Sequence, residues 1–248
     1  MKLTPPALLL FILVPLLPRL STARIVNQFS PEELANKSTL VCNGTPTEIA
    51  TNGERSFKPH SAFDLQTLGY TANIKVLKVL KGDPTVSTIT LHYFHLTPGL
   101  EIGNGPIEIC LETGKRYRFY LRQEKNSTIY VPCLMGDFDD GLSVEAFTVK
   151  QTDDSKPLSK AEAVKMAEDY LKNKHPEIDF DPIVTTAWYF NDGCWDSRTT
   201  RPPSWRLVFW QRVSSNPPPR NDLERMSAGA VADISILGDG EISFQCPN

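Results

Sequence analysis

The first half of the chain alternates hydrophobic and polar residues with the two-residue period of β-strands. The segment "GYTANIKVLKVLKG", residues 69–82, shows this pattern most clearly. One side carries Tyr70, Ala72, Ile74, Val76 and Lys78, and the other carries Leu77, Val79 and the aliphatic part of Lys81. Apolar residues on both sides predict a strand covered over most of its surface, as in a small closed barrel. Because Gly82 permits a turn and Pro84 cannot donate to a ladder, we expect the strand to reverse there.

The strand pattern continues to about residue 133. Strands are predicted in "STITLHYFHL", residues 87–96, and on both sides of a turn at residues 113–115. Ser30 followed by Pro31 indicates a short helix before the first strand. Residues 50–67 are polar and rich in turn formers, so we expect a loop there. About five strands at regular spacing predict a small antiparallel barrel.

The second half starts with a polar linker and continues with a helical pattern. The linker, "KQTDDSKP", spans residues 150–157. Ser159 and Glu162 form a predicted capping box, and Pro176 ends the helix. Strand patterns follow in "PIVTTAWYF", "SWRLVFWQR", "AGAVADISIL" and "EISFQC", with a long loop at residues 214–226. One helix that leads into an antiparallel sheet is an α+β unit.

The first 23 residues have the character of a secretory signal. Lys2 precedes the apolar stretch "ALLLFILVPLLP", and Ser21 and Ala23 are small residues at cleavage-site spacing, so cleavage is predicted after Ala23. The alternative is a membrane anchor, but the apolar run has about a dozen residues where a bilayer needs about 20. We therefore expect a secreted or periplasmic protein whose mature chain has no membrane span.

Length and charge narrow the class of partner. The formal net charge is -3, and loss of the two positive charges of Lys2 and Arg19 with the signal makes it -5. This mildly acidic balance lacks the basic stripe that binds nucleic acid or anionic lipid. We therefore expect neither as a partner. About 225 residues remain, which suits two domains of ordinary size.

Export makes the five cysteines candidates for disulfides rather than thiols. The simplest pairing joins Cys194 to Cys246, and Cys110 to Cys133 across a hairpin-like stretch. Cys42 is then left over. A buried thiol, an intermolecular bridge and a bond to Cys110 or Cys133 all stay open for it, and the strand-like "TLVCNG" favours the buried thiol. No C-x-x-C and no paired Cys/His spacing supports a zinc site.

Three segments carry a family resemblance. "FSPEELANKSTLVCNG", "YTANIKVLKVLKG" and "CLETGKRYRFYL" together resemble the netrin-like family, which includes the tissue inhibitors of metalloproteinases, and above all its bacterial secreted relatives. The resemblance covers roughly residues 28–135 and implies an OB-type five-stranded barrel. In the metalloproteinase inhibitors the mature chain begins with a cysteine that chelates the protease zinc. Here the predicted terminus is Arg24 and the first cysteine is Cys42, so that mechanism is not implied.

The helix and the strands after residue 157 resemble the PepSY-like domains of secreted bacterial proteins. The shared features are the alanine-rich helix and a final hairpin around "DGEI". The predicted fold is therefore mainly β and α+β, an OB-type barrel followed by a helix packed on an antiparallel sheet. The predicted divisions are a signal peptide at 1–23, a netrin-like barrel at 24–149, a linker at 150–157 and an α+β domain at 158–248.

The residues predict no catalytic, cofactor or metal site. His92 and His95 are three apart on a predicted strand, so they point to opposite faces and cannot share a metal through that strand. The acidic stretch "GDFDDG", residues 136–141, lacks the glutamate of a calcium loop, since Thr148 occupies that position, and we expect a solvated turn. The chain has no G-x-S-x-G, no H-E-x-x-H and no glycine-rich phosphate loop.

The segment at residues 188–205 is the predicted contact surface. Aromatic and arginine side chains are typical of recognition surfaces, and Trp195, Arg198 and Arg201 occur here. Trp188 and Trp205 lie in strand patterns and are expected in the core. The sequence thus predicts a non-enzymatic module that binds a protein, an extracellular protease being one candidate class. The alternatives are an exported hydrolase with an unrecognised site and a structural envelope component.

Overall fold

The computed structural model of the protein describes residues 29–59, 64–97, 107–125, 127–137, 139–148, 150–190, 203–211 and 230–245. Within these ranges the protein is mainly β. The helices are α1 (Pro31–Lys37), the short 3-10 helix η1 (Asp140–Ser143) and α2 (Lys160–Lys174). The strands are β1 (Leu40–Pro59), β2 (Asp64–Lys81), β3 (Thr88–Leu96), β4 (Tyr117–Gln123), β5 (Ile129–Pro132), β6 (Val144–Ala146), β7 (Phe180–Phe190), β8 (Ser204–Gln211), β9 (Ala230–Leu237) and β10 (Ile242–Gln245). The predicted signal lies outside these ranges, and within them no helix is long and apolar enough to cross a bilayer.

Strands β1 to β6 form one curled sheet in the order β1-β2-β3-β5-β4-β6. β1 also pairs with β4, so β1, β2, β3, β5 and β4 form a closed ring of hydrogen-bonded neighbours. β3 and β5 are parallel, and the other neighbours are antiparallel. The predicted alternation on β2 is confirmed, because Ala72 and Ile74 are buried in the main core of this sheet while Asn73 and Lys75 are exposed.

The predicted strand reversal and first helix are both confirmed. β2 ends at Lys81, and Gly82 has a positive φ of 107°. A Cβ on Gly82 would also lie 3.0 Å from the carbonyl oxygen of Thr39, so glycine is required by conformation and by space. α1 begins at a capping box in which the Ser30 amide donates to Glu33 Oε2 at 2.7 Å.

The loop predicted at residues 50–67 is wrong for residues 50–59 and 64–67, and residues 60–63 lie outside the described ranges. β1 runs to Pro59 and β2 begins at Asp64, so both polar stretches belong to one long hairpin. Their residues pair in register from Arg55 opposite Leu68 to Pro59 opposite Asp64. The hydrogen bonds between β1 and β2 join backbone groups only, so polar side chains do not prevent the two strands from pairing. The extra residues 52–54 of β1 are accommodated as a bulge.

The solvated turn predicted for "GDFDDG" is also wrong for its second half. Asp139 is 8% exposed and Asp140 is 1% exposed, and the chain continues as η1. Asp139 Oδ1 accepts a hydrogen bond from the Ile107 amide at 2.9 Å, which replaces the water that an exposed carboxylate would bind. A Cβ on Gly141 would lie 2.4 Å from the Glu108 carbonyl oxygen, so this segment packs directly against the chain that leads into β4.

Strands β7 to β10 form a second antiparallel sheet in the order β10-β9-β8-β7. The predicted capping box of α2 is present, and α2 buries Ala163, Ala167 and Leu171 against this sheet. Trp205 lies in the same core, as expected. Trp188 does not, because it is on the opposite face of its strand from the buried Tyr189 and is 37% exposed.

The cysteines differ from the predicted pairing. Cys42 and Cys133 are free and buried, so the expected buried thiol at Cys42 is confirmed and the expected Cys110–Cys133 bond is wrong. Cys110 is disulfide-bonded, and neither of these two thiols is its partner. Cys133 lies with its Sγ 3.5 Å from the Ser143 hydroxyl, packed in the core under α1. The predicted Cys194–Cys246 bond lies outside the described residues.

Candidate functional site

A surface at the far end of the β1–β2 hairpin is the strongest candidate for binding. We call residues 55–59 and 64–68 the arm. Strand β3 ends at Leu96, opposite Thr67, and the Thr97 amide that follows donates to the Gln66 carbonyl at 3.1 Å. Phe57 lies on the arm opposite Gln66, and its side chain is 62% exposed. An apolar side chain of this size in water costs free energy unless something covers it.

The register shows which face of the sheet carries Phe57. Residues paired across antiparallel strands share a face, and so do residues two apart along a strand. Gln66, Leu68, Tyr70, Ala72 and Ile74 are therefore on one face, which is the inner face because the last two are buried in the core. Their partners on β1 include Phe57 and Arg55. Within the arm the opposite face is the covered one, because Leu65 and Thr67 are buried, so the arm presents the face of Phe57 to solvent. We call Arg55, Phe57, Leu68, Tyr70 and His95 the arm platform.

Aromatic packing makes the inner end of the arm platform rigid. Tyr70 stacks on Tyr93 with ring centroids 5.8 Å apart, and His95 packs edge-on against Tyr70 at 5.1 Å. Tyr93 is buried, and desolvation raises the pKa of its hydroxyl well above the usual range. The Tyr93 hydroxyl is therefore neutral at ordinary pH.

Glu108 fixes the end of β3 next to the arm platform. Its Oε1 accepts the Leu96 amide at 2.5 Å, and its Oε2 lies 3.6 Å from His95 Nδ1. One carboxylate therefore holds both the backbone and the histidine at the point where β3 ends. The result is a surface with an exposed aromatic ring, an arginine and a histidine on a fixed backbone, the composition usual for protein contacts.

The base of the arm is braced by the bulge at residues 52–54. Thr51 Oγ1 donates to the Gly69 carbonyl at 3.2 Å, and Asn52 Oδ1 accepts the Glu54 amide at 3.0 Å. A Cβ on Gly69 would lie 2.4 Å from Asn52 Oδ1, so the bulge crosses β2 at the one position without a side chain. This crossing brings Asn52 and Glu54 to His92 on β3.

A second group of ionisable side chains lies in the interior, where the two sheets meet. We call Arg118, Tyr120, Glu145 and Tyr189 the Glu145 cluster. The Glu145 carboxylate accepts from Arg118 Nη1 at 3.1 Å, from the Tyr120 hydroxyl at 3.2 Å and from the Tyr189 hydroxyl at 2.5 Å. Desolvation, followed by the negative charge of Glu145, raises the pKa of both tyrosines well above the usual range. Both hydroxyls are therefore held in the donating, neutral form.

The Glu145 cluster also holds the segment between the two sheets. Arg118 Nη2 donates to the Ser155 carbonyl at 2.6 Å, and its Nε donates to Asn43 Oδ1 at 3.2 Å. Asn43 Nδ2 in turn donates to the Asp153 carbonyl at 2.7 Å. All polar groups of the cluster have partners and all four side chains are buried, so the arrangement satisfies a structural need and leaves no open position for a substrate.

Two cavities of the described part have linings of mixed polarity. The larger, about 650 Å³, is formed by β1, β2, β3 and Thr128, and it contains hydroxyls, one amide and Lys75. Its polar groups bond to one another: Thr47 Oγ1 donates to the Asn73 carbonyl at 3.0 Å, and Thr90 Oγ1 donates to Asn73 Oδ1 at 3.3 Å. The smaller, about 340 Å³, lies between the linker and the turn after β9. Neither includes a histidine next to a carboxylate.

The residues singled out in the sequence have different outcomes. His92 and His95 point to opposite faces as predicted, the first to Glu54 and the second to Glu108. Among the described residues, no three histidine, cysteine or acidic side chains are grouped to hold a metal. The predicted contact residues Trp195, Arg198 and Arg201 lie outside the described ranges. Phe57 was missed, although it is one of two phenylalanines in the polar stretch of residues 50–67, the other being Phe63.

Comparison with known proteins does not assign the chain. No protein-family model matches it, and no curated protein matches it at a significant level. The function must therefore be inferred from the residues and their arrangement. The two features that bear on it are the exposed arm platform and the enclosed Glu145 cluster.

Proposed function

We propose that the chain is an exported, non-enzymatic protein that binds another protein through the arm platform. The observation that carries the proposal is the exposed ring of Phe57 on a braced β-hairpin. Aromatic and arginine residues at such positions provide much of the binding energy in protein interfaces. Because the backbone beneath them is fixed by Glu108 and by the bulge, little conformational entropy is lost when a partner binds.

The strand order supports the proposed OB-type, netrin-like barrel for residues 24–149. A closed cycle of five strands with one parallel pair between β3 and β5 fits that architecture. One helix on a four-stranded antiparallel sheet in turn supports the proposed PepSY-like domain at 158–248. The first and second cores share no residue, which supports two domains joined at 150–157. Export, with cleavage after Ala23, belongs to the same proposal.

An extracellular protease is the partner class that the netrin-like resemblance favours. Zinc chelation is not part of the proposal, because Cys42 is buried in the main core and cannot reach a metal on another protein. The proposed mode is occlusion, in which the arm platform covers a groove on the partner. The hydrolase alternative would need ionisable groups around an open cleft, whereas the Glu145 cluster is enclosed.

The test compares three proteins as bait in the native extracellular fraction: the wild type, Phe57→Ser and Trp188→Ser. Trp188→Ser is a matched control, since Trp188 is the other exposed large aromatic of the described residues and lies on the second sheet. We expect a partner retained by the wild type and the control and lost from Phe57→Ser. Loss of about 2 kcal/mol at a central aromatic corresponds to about 30-fold weaker binding. Equal capture by all three proteins would reject the arm platform as the site.

A panel of zinc and cysteine proteases tests the partner class separately. We expect micromolar wild-type protein to slow at least one of them, and Phe57→Ser to slow it less. If no protease is slowed, the inhibitor assignment is wrong while the capture experiment still decides whether the arm platform binds a protein.

A further inference from the structure

His92 faces two groups that make opposite demands on one nitrogen atom. Its Nε2 lies 3.1 Å from Asn52 Nδ2 and 3.2 Å from Glu54 Oε2. The amide nitrogen of Asn52 can only donate a hydrogen bond, and the carboxylate of Glu54 can only accept one. Nε2 can therefore bond to Asn52 when it is unprotonated, or to Glu54 when it carries a proton, but not to both at once.

The orientation of Asn52 is fixed by the backbone. Its Oδ1 accepts the Glu54 amide at 3.0 Å, and a backbone amide cannot act as an acceptor in exchange. Rotating the side-chain amide by 180° would place two donors against each other at that position. The conflict at His92 Nε2 therefore cannot be removed by exchanging the oxygen and nitrogen of Asn52.

The groups around the His92 ring leave its protonation to decide whether Nε2 bonds to Asn52 or to Glu54. Glu54 is the charged group that β1 places against the ring. β2 presents Gly69 and Thr71, and β3 itself presents Phe94 at a ring distance of 4.9 Å, so the other neighbours on these strands are uncharged.

We propose that His92 is a protonation-dependent contact that controls the bulge at the base of the arm. In the neutral state Nε2 accepts from Asn52 and ties the bulge to β3. In the imidazolium state Nε2–H donates to Glu54, and the bond to Asn52 is lost. Asn52 and Glu54 both belong to the bulge, so acidification moves the contact from one end of the bulge to the other, next to Arg55. Regulation of partner binding by this contact rests on the proposed function, whereas the switch itself does not.

The test is a nuclear magnetic resonance titration of the whole protein between pH 5 and 8. At pH 8 we expect the Nε2 resonance of His92 in the range of an unprotonated, accepting nitrogen. In Asn52→Ala we expect the proton to move to Nε2, where it can donate to Glu54. On acidification of the wild type, the Asn52 side-chain amide and the backbone amides of Gly53 and Glu54 should shift together with the His92 ring.

The control variant is His175→Gln, which removes the histidine at the end of α2, outside the arm platform, and should leave these shifts in place. His92→Gln should abolish them. Amides of Gly53 and Glu54 that stay constant while His92 titrates would overturn the proposal, as would a protonated Nε2 at pH 8 in both the wild type and Asn52→Ala. None of these readouts needs a partner, so failure of the protein-binding proposal would leave their result unaffected.

Discussion

Removing the Tyr189 hydroxyl is the most informative perturbation of the junction between the two sheets. Tyr189 is on β7 and donates to Glu145 on β6, so this bond joins the two sheets through a buried carboxylate. The substitution Tyr189→Phe leaves the ring in place and removes one donor. A hydrogen bond to a charged group contributes about 1.5–3 kcal/mol, and we expect Tyr189→Phe to lower the free energy of unfolding by that amount.

Glu145→Gln should cost more, because Arg118 would keep its charge with only 1% of its surface exposed. Breaking a buried ion pair by removing one partner costs about 3–5 kcal/mol. Since folded domains unfold with about 5–15 kcal/mol, about a fifth or more of the stability would be lost. The two substitutions act on one carboxylate, so the double variant should be more stable than the sum of the single effects predicts.

The assay is urea unfolding followed by tryptophan fluorescence, which reports on Trp205 in the second core, and by far-ultraviolet circular dichroism. Tyr130→Phe is the matched control, a half-buried tyrosine of β5 outside the Glu145 cluster, and it should change stability by less than about 1 kcal/mol. If Tyr189→Phe unfolded at the same urea concentration as the wild type, the Glu145 cluster would not stabilise the junction and the reasoning would be refuted.

The remaining predictions concern the two buried thiols, the disulfide of Cys110 and the two buried tyrosines of the Glu145 cluster. Burial raises the pKa of the Cys42 thiol to about 12 and also raises that of Cys133, so in the folded protein at pH 8 both should resist alkylation, and both should react in denaturant. Peptide mapping without reduction should find Cys110 in a cross-linked peptide and neither of those thiols attached to it; a Cys110–Cys133 peptide would contradict the structure. Because folding raises the pKa of Tyr120 and Tyr189, the stability that they contribute is present below about pH 10, the ordinary tyrosine value, and is lost as the pH rises above it. An alkaline titration by ultraviolet absorbance should show these two tyrosines ionising only with unfolding; ionisation in the folded protein near pH 10 would show that they are not buried.

Local signals in the sequence predicted much of the fold. The capping boxes at Ser30 and Ser159 place oxygens where the first turn of a helix has unpaired amides, and both helices begin there. Gly82 has a positive φ, which other residues adopt poorly, so the sequence predicted the strand reversal after β2. In each case the cause lies within a few residues of the effect.

The failures concern features decided by distant residues. Residues 50–59 and 64–67 became strands because each polar stretch had the other to pair with, and backbone pairing leaves little trace in polar side chains. Asp139 became buried because the Ile107 amide is available to it, a contact between residues 32 apart. Glu145 gave no signal either, since its three donors come from β4 and from the second sheet.

The exposure of Phe57 was equally hidden. A phenylalanine two residues from Arg55 in a strand fits a buried face as well as an open one. Whether it is covered depends on where β3 ends, at Leu96, and on what lies opposite the arm. The exposure of Trp188 was not predicted either. A tryptophan in an apolar strand was expected in the core, and the strand pairing places it on the outer face.

Photo-crosslinking from the position of Phe57 tests most directly whether the arm platform binds a protein. The wild-type residue is replaced by the photoreactive p-benzoylphenylalanine, and the same replacement at Trp188 serves as the control. In the native extracellular fraction we predict a discrete adduct from position 57 that excess unlabelled wild-type protein prevents and excess Phe57→Ser does not. An absent adduct, or the same adducts from both positions, would contradict the account.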